Sequence, residues 1–156
     1  FGIFSHFEIL LAATYQGVGE RAVEVAAEHV AKRRSVKNQT TYSNDPDIRW
    51  RIAEAALIMN AVGPQIRELA RDIDEGVDRG RSWMPQLSAA KNAAAEATLR
   101  AVEQAMRACG GSAYYNTHEL SRLYRDALAG LFQPSDQESL HAAWANLILG
   151  PIEKAQ

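Results

Sequence analysis

Apolar residues recur every three to four positions along most of the chain, and no segment alternates strictly, so helices are predicted and strands are not. From about Phe4 to Arg34, residues Ile9, Leu10, Ala13, Val18, Ala22, Val25, Ala26 and Val30 keep the helical spacing. Gly17 and Gly19 interrupt this helix. Each glycine costs about 1 kcal/mol relative to alanine there. Something must therefore approach closely at that point, either a crossing helix or a ligand. Lys32, Arg33 and Arg34 end the segment, where cations complement the helix dipole. The polar run from Ser35 to Pro46 reads as a loop. Asp45-Pro46-Asp47 opens a second helix reaching about Val77. Gly63-Pro64 is predicted to kink or break it. Arg71–Glu75 and Glu75–Arg79 are spaced as ion pairs on an exposed face.

After a basic turn at Arg79–Ser82, Pro85 opens a third helix ending at Cys109, with Gly110 as its left-handed cap. Its stripe of Ala90, Ala94, Ala97, Ala101, Ala105 and Ala108 lets another helix come close. That helix could belong to the same chain or to a second copy. Asn116-x-x-Glu119 and Ser135-x-x-Glu138 have the form of capping boxes opening two further helices. The last ends near Gly150-Pro151. The predicted fold is all-α: an antiparallel bundle of four main helices plus a short C-terminal one, forming a single domain over residues 1–156.

Composition narrows the functional classes. The net charge of -2 and pI near 6.1 point to neither nucleic acid nor anionic membrane as a partner. No apolar run approaches the ~20 residues of a spanning helix. Cys109 is the only cysteine, which fits a reducing cytoplasm. The four histidines, His6, His29, His118 and His141, share no i, i+3 or i, i+4 pair, so no metal site is expected. The chain opens on Phe1 in mid-pattern, as a fragment of a longer polypeptide would.

The order Gly110-Gly111-x-x-Tyr114 followed by Arg122-Leu123-Tyr124-Arg125-Asp126 resembles the C-terminal helical domain of the acyl-CoA dehydrogenase superfamily. The resemblance is nearest to its flavin-dependent monooxygenase-like branch (the type 2 C-terminal domain). It implies the C-terminal part of a flavoenzyme using FAD or FMN, acting on an acyl-CoA or another small molecule. It further implies a homo-oligomer, a dimer of dimers, and for the oxygenating branch a flavin reductase as partner. A standalone helical interaction or oligomerisation module without flavin is the alternative.

By the same resemblance, an arginine ending the first helix reaches the flavin pyrophosphate on a neighbouring subunit, and Arg33 or Arg34 matches that position. The planar guanidinium fork suits phosphate. The family's R-x-Q-F-G is replaced by Arg33-Arg34-Ser35-Val36-Lys37. Its glutamine three residues before the paired glycines is Arg107 here, while Gly110 and Gly111 match. The usual catalytic glutamate, eight residues after Asp126, is Pro134, which cannot be a base. In some members the glutamate lies on the first helix, which points to position 7 and its neighbour Glu8. In the monooxygenase branch a histidine stands seven residues after Asp126. Gln133 occupies that place and can donate a hydrogen bond without shuttling a proton.

Overall fold

The computed structural model describes residues 2–37 and 39–153; Asn38 of the polar loop lies outside them. Five helices carry the fold: α1 Gly2–Lys32, α2 Pro46–Asp74, α3 Trp83–Cys109, α4 Glu119–Leu128 and α5 Gln137–Leu149. Short 3₁₀ turns at Tyr42–Asn44, Gly80–Ser82, Gly110–Tyr114 and Ala129–Leu131 join them. Among the described residues no strand forms, and one isolated bridge pairs Arg34 with Thr41. The all-α bundle predicted from the hydrophobic period is the fold.

Side-chain contacts fix the helix directions. Thr98 donates to the Tyr15 carbonyl (2.6 Å) and Arg33 to the Cys109 carbonyl (2.8 Å), so α1 and α3 run parallel. Arg51, near the start of α2, donates to Gln104, near the end of α3 (3.1 Å), so α2 is antiparallel to both. α4 returns from Glu119, bonded to Arg21, down to Gly130, packed on Ala95 and Tyr15. The core forms three stacked clusters. One gathers Ile9, Tyr15, Leu69, Trp83 and Leu87; a middle one joins Met59 and Val62 to Ala97 and Ala101; the third holds Val25, Val102, Leu120 and Leu123.

The alanine stripe of α3 is buried throughout. Its small side chains serve the close internal packing of α3 rather than a contact between copies. Of the two glycines in α1, only Gly19 marks a close approach: a Cβ there would collide with Met59 and meet Thr98 Oγ1 at 3.1 Å. Gly17 is exposed, with nothing near it.

Four local expectations are corrected. α2 runs unbroken through Pro64. That proline is exposed, and Val62, Ile66 and Leu69 hold the helix to the core, so packing outweighs one lost backbone bond. Gly110 has the expected positive φ of 72°, but ψ of -161° lies outside the left-handed helical region. Neither capping box forms. His118 Nδ1 accepts from the Leu120 N–H to cap α4, and Asp136 accepts from the Ser139 N–H to cap α5. Finally, α2 ends before a Glu75–Arg79 pair can form. Arg79 folds back instead onto Asp72 and Glu68 (Nε to Asp72 Oδ2, 2.7 Å; Nη2 to Glu68 Oε1, 2.8 Å) and stacks on Trp83.

Candidate functional site

The residues singled out in the sequence fall into two groups at opposite ends of the bundle. Along α1, Glu8 and Arg33 are 25 positions apart, roughly 37 Å at the helical rise per residue.

The first group surrounds the segment 129–136 between α4 and α5. Gln133 is half-buried, and its neighbour Phe132 is 82% exposed. The Tyr15 hydroxyl donates to Gln133 Oε1 (2.5 Å), which leaves the amide NH2 as a remaining donor. Lys91, fully buried on α3, uses all three ammonium protons on this segment. They go to the carbonyls of Gly130 (2.8 Å), Gln133 (2.7 Å) and Ser135 (3.1 Å). Asn92 also donates to the Ser135 carbonyl (2.9 Å). Glu8, fully buried on α1, accepts the Ser135 N–H at Oε1 (2.9 Å), while its Oε2 and the Ser135 hydroxyl lack partners. Burial pushes the Glu8 carboxyl above its ordinary pKa against the opposing pull of the Ser135 bond and Lys91. Burial pushes the Lys91 ammonium below its own, against Glu8 and Asp136. Gly130 is needed for this approach: a Cβ there would lie 2.7 Å from Ala95 Cβ and 3.0 Å from Tyr15 Cζ.

The second group lies where α1 and α3 end. Arg33 donates to the Cys109 carbonyl (2.8 Å) and Ser112 Oγ (3.3 Å) and sits 4.9 Å over the Tyr42 ring. It therefore lies beside Gly110 and Gly111. Arg34 is exposed and donates to the Gln39 carbonyl (2.9 Å). Arg107 is paired with Glu103 along the exposed face of α3. A cavity of about 400 Å³ runs past Arg107, Gly110, Tyr114 and Tyr124. A second of about 410 Å³ lies against Tyr114, Tyr115, Tyr124 and Arg125. Both are in the size range of ligand clefts.

Also at this end, the fold gathers His29, Cys109 and His118, with ligand atoms within 4.8 Å of one another. Spacing within single helices could not reveal this cluster, because three elements supply it. Its hydrogen bonding works against a cation. The Leu120 N–H occupies His118 Nδ1, so Nε2 carries the proton and faces His29 Nδ1 (3.4 Å). Burial pushes the Cys109 thiol up to about 11. Arg122 and Asp126 form the i, i+4 pair read from the sequence (2.9 Å).

Comparison with known proteins gives a consistent picture. The family described as "Acyl-CoA dehydrogenase, C-terminal domain" matches residues 2–132. YdbM of Bacillus subtilis (strain 168), named for the acyl-CoA dehydrogenases, is 29% identical over 124 residues, covering 80% of this chain and 32% of that protein. The acyl-CoA dehydrogenase of Geobacillus kaustophilus superposes with a TM-score of 0.83 at 19% identity, covering 93% of this chain and 37% of the other. PigA, solved as an FAD complex, superposes at 0.76 with 15% identity, covering 89% and 35%. This chain thus spans about a third of the length of the proteins it matches.

Proposed function

Because the chain belongs to the acyl-CoA dehydrogenase family, matching its C-terminal domain, we propose that it is the helical part of a flavin-dependent oxidoreductase. In this reading, segment 129–136 lies against the flavin ring and the Arg33 end lies against the nucleotide phosphates. The observation that carries it is Gln133, a half-buried residue fixed at both its carbonyl and its side-chain oxygen, with a donor left over. A flavin ring presents carbonyl and imine acceptors along one edge, which fit such a donor. Arg33, exposed Arg34 and the cavities past Gly110 fit an anionic dinucleotide. FAD fits the arginine-bearing end better than FMN, because only FAD carries a pyrophosphate.

The two groups are farther apart along α1 than one extended dinucleotide reaches. If both touch flavin, they touch different flavin molecules, and the working enzyme is an oligomer. The flavin would supply the redox chemistry. This chain would orient the ring, donate one hydrogen bond from Gln133 and help exclude water.

Two observations favour oxygenation in the manner of the monooxygenase-like branch over removal of an α-proton from an acyl-CoA. Pro134 stands where the usual base would be. Glu8, the other carboxylate candidate, is buried and bonded to the Ser135 backbone. A reductase partner and a cytoplasmic setting belong to the same proposal.

The test uses the full-length protein. It should carry flavin absorbance, and replacing both Arg33 and Arg34 by alanine should weaken flavin binding by ten- to a hundredfold, about 1.5–3 kcal/mol. Gln133→Ala should alter the flavin's visible spectrum and slow turnover without changing the pKa values of the pH–rate profile. A full-length protein that takes up no flavin would leave the helical interaction module as the reading.

A further inference from the structure

We propose that Lys91 and Tyr15 are positioning residues that together hold Gln133 in its working geometry from two different helices. The inference rests on the flavin-facing role of Gln133 proposed above. Burying an ammonium ion carries a penalty of several kcal/mol before any compensation. A buried site that needed only volume would be served as well or better by methionine or leucine. Lys91 is nonetheless fully buried, on a stretch of α3 where its neighbours are small alanines and the buried polar residues Ser88 and Asn92. What the charge accomplishes is visible in its bonds. All three of its protons are spent on carbonyls of one six-residue stretch, Gly130 to Ser135.

That stretch has little regular structure of its own. Its backbone contributes a turn bond from Phe132 N–H to the Ala129 carbonyl. Beyond the 3₁₀ turn at Ala129–Leu131, the stretch is held from outside by Lys91 and Asn92 on three carbonyls and by Glu8 on the Ser135 N–H. The ammonium collects carbonyls as a bound cation would, without needing an ion from solution. Tyr15 adds the second point. It is buried, its own carbonyl is tied to Thr98, and its hydroxyl meets Gln133 Oε1. Backbone and side chain of Gln133 are therefore set independently, one from α3 and one from α1. A binding or catalytic constellation needs this kind of support, since a misplacement of about 1 Å can lower a rate a hundredfold.

The test uses the full-length, flavin-loaded enzyme with Lys91→Met, Tyr15→Phe, Gln133→Ala and the two double variants containing Gln133→Ala. Hydrogen exchange reports the segment. Visible circular dichroism of the flavin, and reoxidation of the photoreduced flavin by dioxygen, report the site without requiring a known substrate. Lys91→Met should lose amide protection selectively over 130–136 while the middles of α1 and α3 keep theirs. It should also change the reoxidation rate about ten- to a hundredfold. Tyr15→Phe should keep segment protection and change that rate about fivefold, the worth of one ordinary hydrogen bond. Neither substitution should add to the effect of Gln133→Ala.

Wild-type flavin dichroism and reoxidation in both single variants would overturn the positioning role, whatever Gln133→Ala does. If Lys91→Met fails to fold, Tyr15→Phe decides alone, and an unchanged rate sinks the proposal. An unaffected Gln133→Ala beside a slowed Lys91→Met would overturn the placement of Gln133 at the flavin while leaving the hold on the segment intact.

Discussion

Replacing Gly130 with alanine adds one methyl group where the 129–136 segment touches the bundle. The new Cβ would lie 2.7 Å from Ala95 Cβ, 3.0 Å from Tyr15 Cζ and 3.2 Å from Tyr15 Cε1. None of these atoms is the free end of a flexible chain. Ala95 is fixed to α3, and the Tyr15 ring is buried and bonded at its hydroxyl. Overpacking of this kind costs about 1–3 kcal/mol. Because φ at Gly130 is not positive, alanine also gains about 0.4–1 kcal/mol by restricting the unfolded chain. The net loss lies between about 0 and 2.6 kcal/mol, or up to roughly 10 °C in Tm for a domain of this size. Gly17→Ala is the matched control. It lies in the same bundle, inside a helix, with open space where the Cβ would go, so it should gain about 1 kcal/mol. Thermal unfolding followed by far-ultraviolet circular dichroism measures both. A Gly130→Ala protein more stable than the wild type would refute the packing argument, because the gain from restricting the unfolded chain would then stand without an overpacking cost.

Three other consequences can be measured directly. The buried Cys109 thiol, with its pKa pushed up to about 11, should resist thiol reagents at mildly alkaline pH until the protein is unfolded, and rapid labelling of native protein would contradict its burial. Burial foremost, then His118 and Arg33, depresses the His29 pKa below 6.5, so its contribution to stability is present above that pH and lost as pH falls through the depressed value. Glu8 acts in the opposite sense, losing stability as pH rises through its raised pKa. The informative quantity is therefore the difference in Tm between wild type and His29→Asn, which should shrink on acidification from about pH 7 to about pH 5; a constant difference would exclude the titration. Arg79→Lys should lower stability by about 1–3 kcal/mol in urea unfolding, because a single ammonium cannot span Asp72, Glu68 and Gln86 and also cover Trp83. An unchanged midpoint would show that network to be dispensable.

Helix number and approximate extent are legible in the chain because burial against one neighbour imposes a period of 3.6 on the apolar residues, and Ile9, Val25, Leu87 and Val102 obey it. The family signature is legible for a related reason: Gly110, Gly111, Arg122 and Asp126 are close together along the chain. Details that depend on competition between distant parts are not legible. Pro64 reads as a break, yet α2 continues, because packing on its far side outweighs one lost bond. Ser135 reads as a helix cap, yet Glu8 and Lys91 take its backbone and Asp136 caps α5 instead. Lys91 left one faint trace, a lysine four residues after Leu87 and three before Ala94 on the core face of α3. Periodicity can show that such a lysine is buried. It cannot show which carbonyls receive its protons, since they lie about forty residues away and are brought there by the return of α4 along α3. Local spacing thus determined the helices, while the tertiary structure alone decided which charges could be buried, because a buried ion is tolerable only where other elements converge to pair it.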